Sequence, residues 1–246
     1  MSPRACPAGY EHFVIGRAEA VAVPDLVPLV REVVANSTLY DWARGRPDAQ
    51  ALAGRQPAYA VPLPTGDGGM VVRHNRHGGL LGGITGDRFL YPTRAPLEFD
   101  LSGRLAQAGV PTPPMLAYVV YRSGWFARSD VVTRRVVPGE DLVTRLATND
   151  HSRVAECLDF TATLLATIAR AGARHEDLNA KNVLIGSIQA ILLDVDRVTF
   201  GHEPACALAL NLDRLERSLH KLRARSMVQV SDGALATLRA TATARL

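Results

Sequence analysis

Apolar residues recur along this chain with two periods. In the first half they fall in short runs, Ala58 to Leu63, Met70 to His74, Met115 to Tyr121 and Asp130 to Val137. Runs of that length bounded by turn residues predict strands. Pro64-Thr65-Gly66-Asp67-Gly68-Gly69 joins the first two as a hairpin, Ser123-Gly124 separates the last two, and Gly54-Arg55-Gln56-Pro57 reads as a turn entering the first. Between the pairs, Leu97, Leu101 and Leu105 share one helical face. This predicts a helix over Thr93 to Ala108, with Thr93 as cap, Pro96 in the first turn and Gly109 as stop. Later the spacing becomes helical: Val154, Leu158, Thr161, Leu165 and Ile168 predict a helix from Ser152 to Ala171, stopped by Gly172. A short hairpin, Asn182 to Ile185 and Ala190 to Leu193, turns at Gly186-Ser187, and a last long helix covers Ala207 to Arg225. The stretch from Pro7 to Tyr59 is mixed. Strands with one main helix, then mostly helices, describe an α+β chain of two lobes. An antiparallel sheet lobe over about residues 1–136 precedes a mostly helical lobe over about 137–246, with the cleft between them as the expected ligand site.

Composition narrows the class without choosing a function. The 246 residues are 47% hydrophobic and 21% charged, which excludes a disordered chain and allows a sizeable core. No apolar run approaches the ~18–20 residues that span a bilayer. Met1 to Gly16 has no apolar core of secretory type, so export is not expected. Cys6, Cys157 and Cys206 are odd in number and far apart, as in a reduced cytosolic chain. His74, His77 and His175 lack metal-ligand spacing with them. A net charge of +4 leans towards an anionic partner and does not separate nucleic acid, membrane surface or phosphorylated glycan.

The chemistry concentrates in His175-Glu176-Asp177-Leu178-Asn179-Ala180-Lys181-Asn182, followed by Ile191-Leu192-Leu193 and Asp194. This is H-x-D-L-x-x-x-N, then a strand, then Asp, the order in which kinase-like enzymes present a base and metal ligands. Phosphoryl transfer needs a carboxylate to orient and deprotonate the attacking hydroxyl, and oxygen ligands for Mg²⁺ bridging the ATP phosphates. Asp177 is the candidate base, and Asn182 and Asp194 are the candidate metal ligands. The alternative is a loop whose Asp and Asn only cap turns. His175 reads as a structural residue beside the loop.

Two basic features accompany the motif. Arg73 lies on the strand Met70 to His74, in the place where a kinase-like sheet lobe carries its phosphate-binding cation, and Glu98 on the next helix is its expected partner; a solvent-facing arginine is the other reading. The loop from His74 to Gly83 is glycine-rich and basic, and fits an anion cradle or a plain surface loop. On the last helix Leu212, Leu215, Leu219 and Leu222 share one side. Arg214, Arg217, Lys221 and Arg225 lie about 130° away, as a stripe for acidic head groups or a solvated face.

With these residues the chain resembles the 3-deoxy-D-manno-octulosonic acid (Kdo) kinases, lipopolysaccharide core kinases of protein-kinase-like fold. The resemblance is carried by Arg73-His74-Asn75-Arg76-His77-Gly78-Gly79-Leu80, Thr93-Arg94-Ala95 leading to Glu98-Phe99, and Asp177 to Asn182. Asp194-Val195-Asp196-Arg197 and Asn211 to Leu219 add to it, so it runs from about Gly54 to Leu222. It implies phosphorylation of a Kdo sugar, at O4, on a Kdo-lipid A precursor, with ATP and Mg²⁺ as cofactors and Asp177 as base. It also implies a peripheral protein at the cytoplasmic face of the bacterial inner membrane. An anionic membrane surface is then a partner, with no nucleic acid and no obligate protein partner expected. Lys181 stands where the family often has His, and Val195 replaces the usual Phe between the aspartates. Glu176 replaces the Arg that receives activation-loop phosphate in protein kinases, and no A-P-E follows Asp194.

Two other readings use the same motif. A soluble aminoglycoside- or choline-type phosphotransferase binds cationic substrates, which the basic helix and loop disfavour. A pseudokinase scaffold is disfavoured by retention of Asp177, Asn182 and Asp194, though Arg73 in place of Lys leaves room for it.

Overall fold

One antiparallel sheet organises the first half of the chain in the computed structural model, which describes residues 6–52, 57–75, 89–90, 93–124 and 126–246. Its strands are β1 (Glu11–Ile15), β2 (Ala18–Ala22), β3 (Gln50–Leu52), β4 (Ala58–Pro62), β5 (Gly69–Asn75), β6 (Phe89–Leu90), β7 (Met115–Ser123) and β8 (Phe126–Arg134). They run in the order β1-β2-β7-β8-β5-β4-β3, with β6 also on β8. The turn Gly54 to Gln56 and most of the glycine-rich loop, 76–83, lie outside the described residues.

Side chains alternate between the two faces of a strand. Val119 and Val132 join Leu26, Val30, Leu39, Met70 and Val72 on one face. Their neighbours Tyr118, Val120 and Val131 join Val21, Ala95 and Phe99 on the other. Both faces are therefore covered, which is why Met115 to Val120 is an unbroken apolar run. The first face is closed by α1 (Val27–Val34) and α2 (Leu39–Gly45), two helices that the mixed composition of 7–59 conceals.

The chain divides into two compact units, Met1–Asp100 with Pro114–Arg135, and Leu101–Pro113 with Val136–Leu246. Helix α3 (Ala95–Gln107) is shared between them. Ala95 and Phe99 pack in the first unit, Leu101 and Leu105 in the second. Leu97, expected on the buried stripe, is 50% exposed. A four-residue step overshoots a full helical turn by about 40°, so Leu97 lies about 80° from Leu105. Thr93 does not cap this helix: its Oγ1 is buried and makes no hydrogen bond among the described residues. Gly109 does end it, at φ +74, with Val110 N bonded to Leu105 O.

The second unit holds β9 (Glu140–Asp141), α4 (Leu142–Leu146), α5 (His151–Arg170), β10 (Ala173–His175), β11 (Val183–Ile185), β12 (Ala190–Leu192), β13 (Val198–Phe200), α6 (Pro204–Arg223) and α7 (Asp232–Ala244). Helix α5 starts where Asp150 accepts from Ser152 N and Arg153 N, and buries Leu158, Leu165 and Ile168. Helix α7 follows what the sequence pattern suggests is the last helix. Ser231 caps it, and Leu235, Leu238 and Ala242 face the core.

Candidate active site

Gly172, at φ +64, turns the chain from α5 into β10. A Cβ there would meet His202 O at 3.0 Å, so both conformation and space call for glycine. Strand β10 pairs with β13 and ends at His175, where the loop begins.

Two side chains shape that loop from within. Asn179 Oδ1 accepts from Lys181 N at 3.0 Å, and Asn179 Nδ2 donates to Asp177 O at 3.0 Å. Asn182 Nδ2 donates to the same carbonyl at 3.1 Å. Asn179 is thus a turn cap, as the plainer reading of the loop required. Asn182 is not, because its Oδ1 accepts no hydrogen bond among the described residues and remains an available oxygen.

Buried His175 joins the loop to the second aspartate. Its Nδ1 accepts from Asp177 N at 3.2 Å and its Nε2 donates to Asp194 O at 3.0 Å. Both bonds require the neutral ring with its proton on Nε2, a tautomer assigned from these partners. Burial pushes the imidazole below its ordinary value, against the opposing pull of the Asp194 charge. Asp194 has left-handed backbone, φ 56 and ψ 55, which costs a non-glycine residue roughly 1 kcal/mol. The His175 bond to its carbonyl, and the Leu193 N to Asn182 O bond at 2.8 Å, hold it there.

Helix α6 supports the loop from outside. Asn211, fully buried, accepts from His175 N at 2.9 Å and donates to Ala173 O at 3.1 Å. Ser218 Oγ accepts from Ala180 N at 3.3 Å. Between them Arg214 Nη2 donates to Asp177 Oδ1 at 2.5 Å. The three occupy one stripe at spacings of three and four residues. The basic stripe expected on this helix is therefore divided. Arg214 clasps Asp177, whereas Arg217 and Lys221 are exposed and form no ion pair among the described residues.

In the first unit Arg73 on β5 is paired with Glu98 in the first turn of α3. Glu98 is 2% exposed, so its charge has almost no water and relies on the guanidinium. The next residue, His74, points to the opposite face, where Nδ1 meets Asp130 Oδ1 at 2.6 Å. Asp130 Oδ2 accepts from Tyr121 Oη and Tyr40 N, both at 2.9 Å. Burial, then the Asp130 charge, raises the Tyr121 phenol well above its ordinary value. The sequence reading missed this network, although a carboxylate directly before the apolar pair Val131-Val132 of an expected strand was its signal.

The model of the lipopolysaccharide kinase (Kdo/WaaP) family matches residues 53–234. The chain belongs to the lipopolysaccharide kinase (Kdo/WaaP) family. A 3-deoxy-D-manno-octulosonic acid kinase of Vibrio vulnificus (strain CMCP6) is 32% identical over 196 residues, 78% of this chain and 81% of the relative. One of the same name from Stenotrophomonas maltophilia (strain R551-3) is 33% identical over 181 residues, 72% and 71% of the two. The solved structure "WaaP in complex with acyl carrier protein" covers 89% of this chain and 97% of its own, at TM-score 0.50 and 18% identity, and shares the kinase-like fold.

The Kdo/WaaP match takes in Arg73, Glu98, Asp177, Asn182, Asp194, Arg214, Arg217 and Lys221. It also takes in Asn211 and Ser218, whose support of the loop had no separate signal in the sequence beyond the late motif itself. As a Kdo/WaaP kinase the chain belongs to an ATP-using class of phosphotransferases. Among the described residues, no helix is long and apolar enough to cross a membrane.

Proposed function

We propose that this chain transfers the γ-phosphate of ATP to a hydroxyl of Kdo, O4, on a Kdo-lipid A precursor during lipopolysaccharide inner-core synthesis. The observation that carries the reading is the loop from His175 to Asn182. Arg214 holds Oδ1 of Asp177, and Oδ2 accepts no hydrogen bond among the described residues. One carboxylate oxygen thus remains to take the proton of an acceptor hydroxyl.

Asn182 Oδ1 and the Asp194 carboxylate would hold Mg²⁺. Both are hard oxygen donors, and Mg²⁺ completes its shell with water and phosphate oxygens. When bound, the ion neutralises charge on the transferring phosphate. The Asn182 amide is oriented by its bond to Asp177 O, and Asp194 by His175. Arg73, steadied by Glu98, binds ATP phosphate bidentately where related folds use lysine. The protein works at the cytoplasmic face of the bacterial inner membrane as a peripheral protein, with exposed Arg217 and Lys221 meeting anionic head groups. None of these steps needs a protein partner.

Purified full-length chain, given ATP, Mg²⁺ and Kdo-lipid A precursor, should produce a lipid heavier by one phosphate in mass spectrometry. Asp177→Asn should lower kcat by about 10²–10⁴ while ATP still binds. An unchanged rate in that variant would remove Asp177 as the base, and no product with the wild-type chain would remove the reading altogether.

A further inference from the structure

Arg214 spends little of what it has. A guanidinium carries five N–H donors, and among the described residues only one Nη2 donor is engaged, on Asp177 Oδ1. Arg239 on the neighbouring helix, exposed to a similar degree, engages three of its five, its Nε and Nη2 bonded to Glu216 and Asp213. Arg214 is also open to solvent, at 42% side-chain exposure beside an Asp177 at 45%. Arg214 thus presents a planar edge of unused donors adjacent to the carboxylate that receives the acceptor.

The acceptor in the reading above is a sugar acid, so it arrives with a carboxylate of its own. The loop it approaches is acidic, with Glu176 exposed, Asp177 half-exposed and Asp194 following β12. An anion brought against those charges is repelled unless a cation meets it. Guanidinium is suited to bridge two carboxylates, since its donors point along separate edges of one plane.

We propose that Arg214 is the acceptor-recognition residue, binding the sugar carboxylate with its free N–H groups while its remaining contact fixes Asp177. One side chain then couples recognition of the acid to placement of the base. A neutral sugar with the same hydroxyl would leave those donors unpaired. Lys181, exposed and without an ion pair among the described residues, is the competing cation in the loop. As a point charge it would attract any anion without aligning it. This inference rests on the kinase reading.

The test pairs enzyme variants with acceptor variants. Kdo-lipid A precursor is supplied as the free acid and as its methyl ester, with the full-length wild type, Arg214→Gln and Lys181→Gln. Losing a charge-assisted contact costs about 10- to 100-fold, so wild type should prefer acid to ester by that factor in kcat/KM, mainly through KM. In Arg214→Gln the ratio should fall to within about twofold. Any loss common to both acceptors in that variant appears in kcat and reports the bracing of Asp177. Lys181→Gln should keep the wild-type ratio. If Arg214→Gln keeps it, or Lys181→Gln abolishes it, the inference fails while the kinase reading stands. If wild type phosphorylates neither acceptor, the kinase reading fails and takes the inference with it.

Discussion

Glu98 is a carboxylate with almost no water around it, and Arg73 supplies its counter-charge. Truncating one member of such a pair leaves a buried charge uncompensated, which costs more than the pair contributes. Arg73→Met should lower stability by about 3 kcal/mol. In urea denaturation Arg73→Met/Glu98→Leu should recover most of that loss, since both charges are gone. His175 makes a pH prediction. The unfolded chain takes up a proton at this ring near its ordinary 6.5, whereas the folded chain, with the value lowered by burial, resists until lower pH. Stability is therefore full above that value and declines as pH falls below it, until the folded ring also protonates. A protonated ring would also set an N–H at Nδ1 against the Asp177 N–H. Urea midpoints at about pH 7.5 and about pH 5.5 should differ more in wild type than in His175→Gln. An equal fall in both would remove His175 as the titrating group.

At the scale of elements, α6 and β10 decide where Asp177 stands. The leucines of α6 bury one side, and the next stripe of Asn211, Arg214 and Ser218 then falls on the loop. Asn211 satisfies one backbone N–H and one carbonyl of β10 at a buried position. Asn211→Ala orphans both and should cost about 2–4 kcal/mol in urea denaturation, with a fall in kcat as His175 and the loop lose their anchor. Stability equal to wild type would show that water replaces the amide. Periodicity made α5 and α6 legible, because a core-facing stripe repeats every three to four residues. It did not reveal α1 and α2, whose apolar positions are interspersed with turn residues in 7–59. Nor did it foresee the exposure of Leu97, because α3 serves two cores and changes its buried face along its length.

For the molecule as a whole, a net charge of +4 reports an average, and the surface decides how it is used. Arg214 is engaged by Asp177, leaving Arg217 and Lys221 exposed and without an ion pair among the described residues on the same helix. If these two meet anionic head groups, Arg217→Gln/Lys221→Gln should weaken binding to vesicles rich in anionic lipid by about 2 kcal/mol, roughly 30-fold. Neutral vesicles should not distinguish the variant, and equal binding to anionic vesicles would release the stripe from this role.

By itself the sequence determined that this is an α+β chain with kinase chemistry. Strand and helix periods are local, and the spacing from Asp177 to Asn182 and on to Asp194 is short enough for one loop and one hairpin to carry it. Only the tertiary structure decided what those side chains touch. Hydrogen bonds such as Arg214 to Asp177, Asn211 to His175 and His74 to Asp130 join residues 36 to 56 positions apart. No periodic pattern encodes such distances, because packing alone brings the partners within reach.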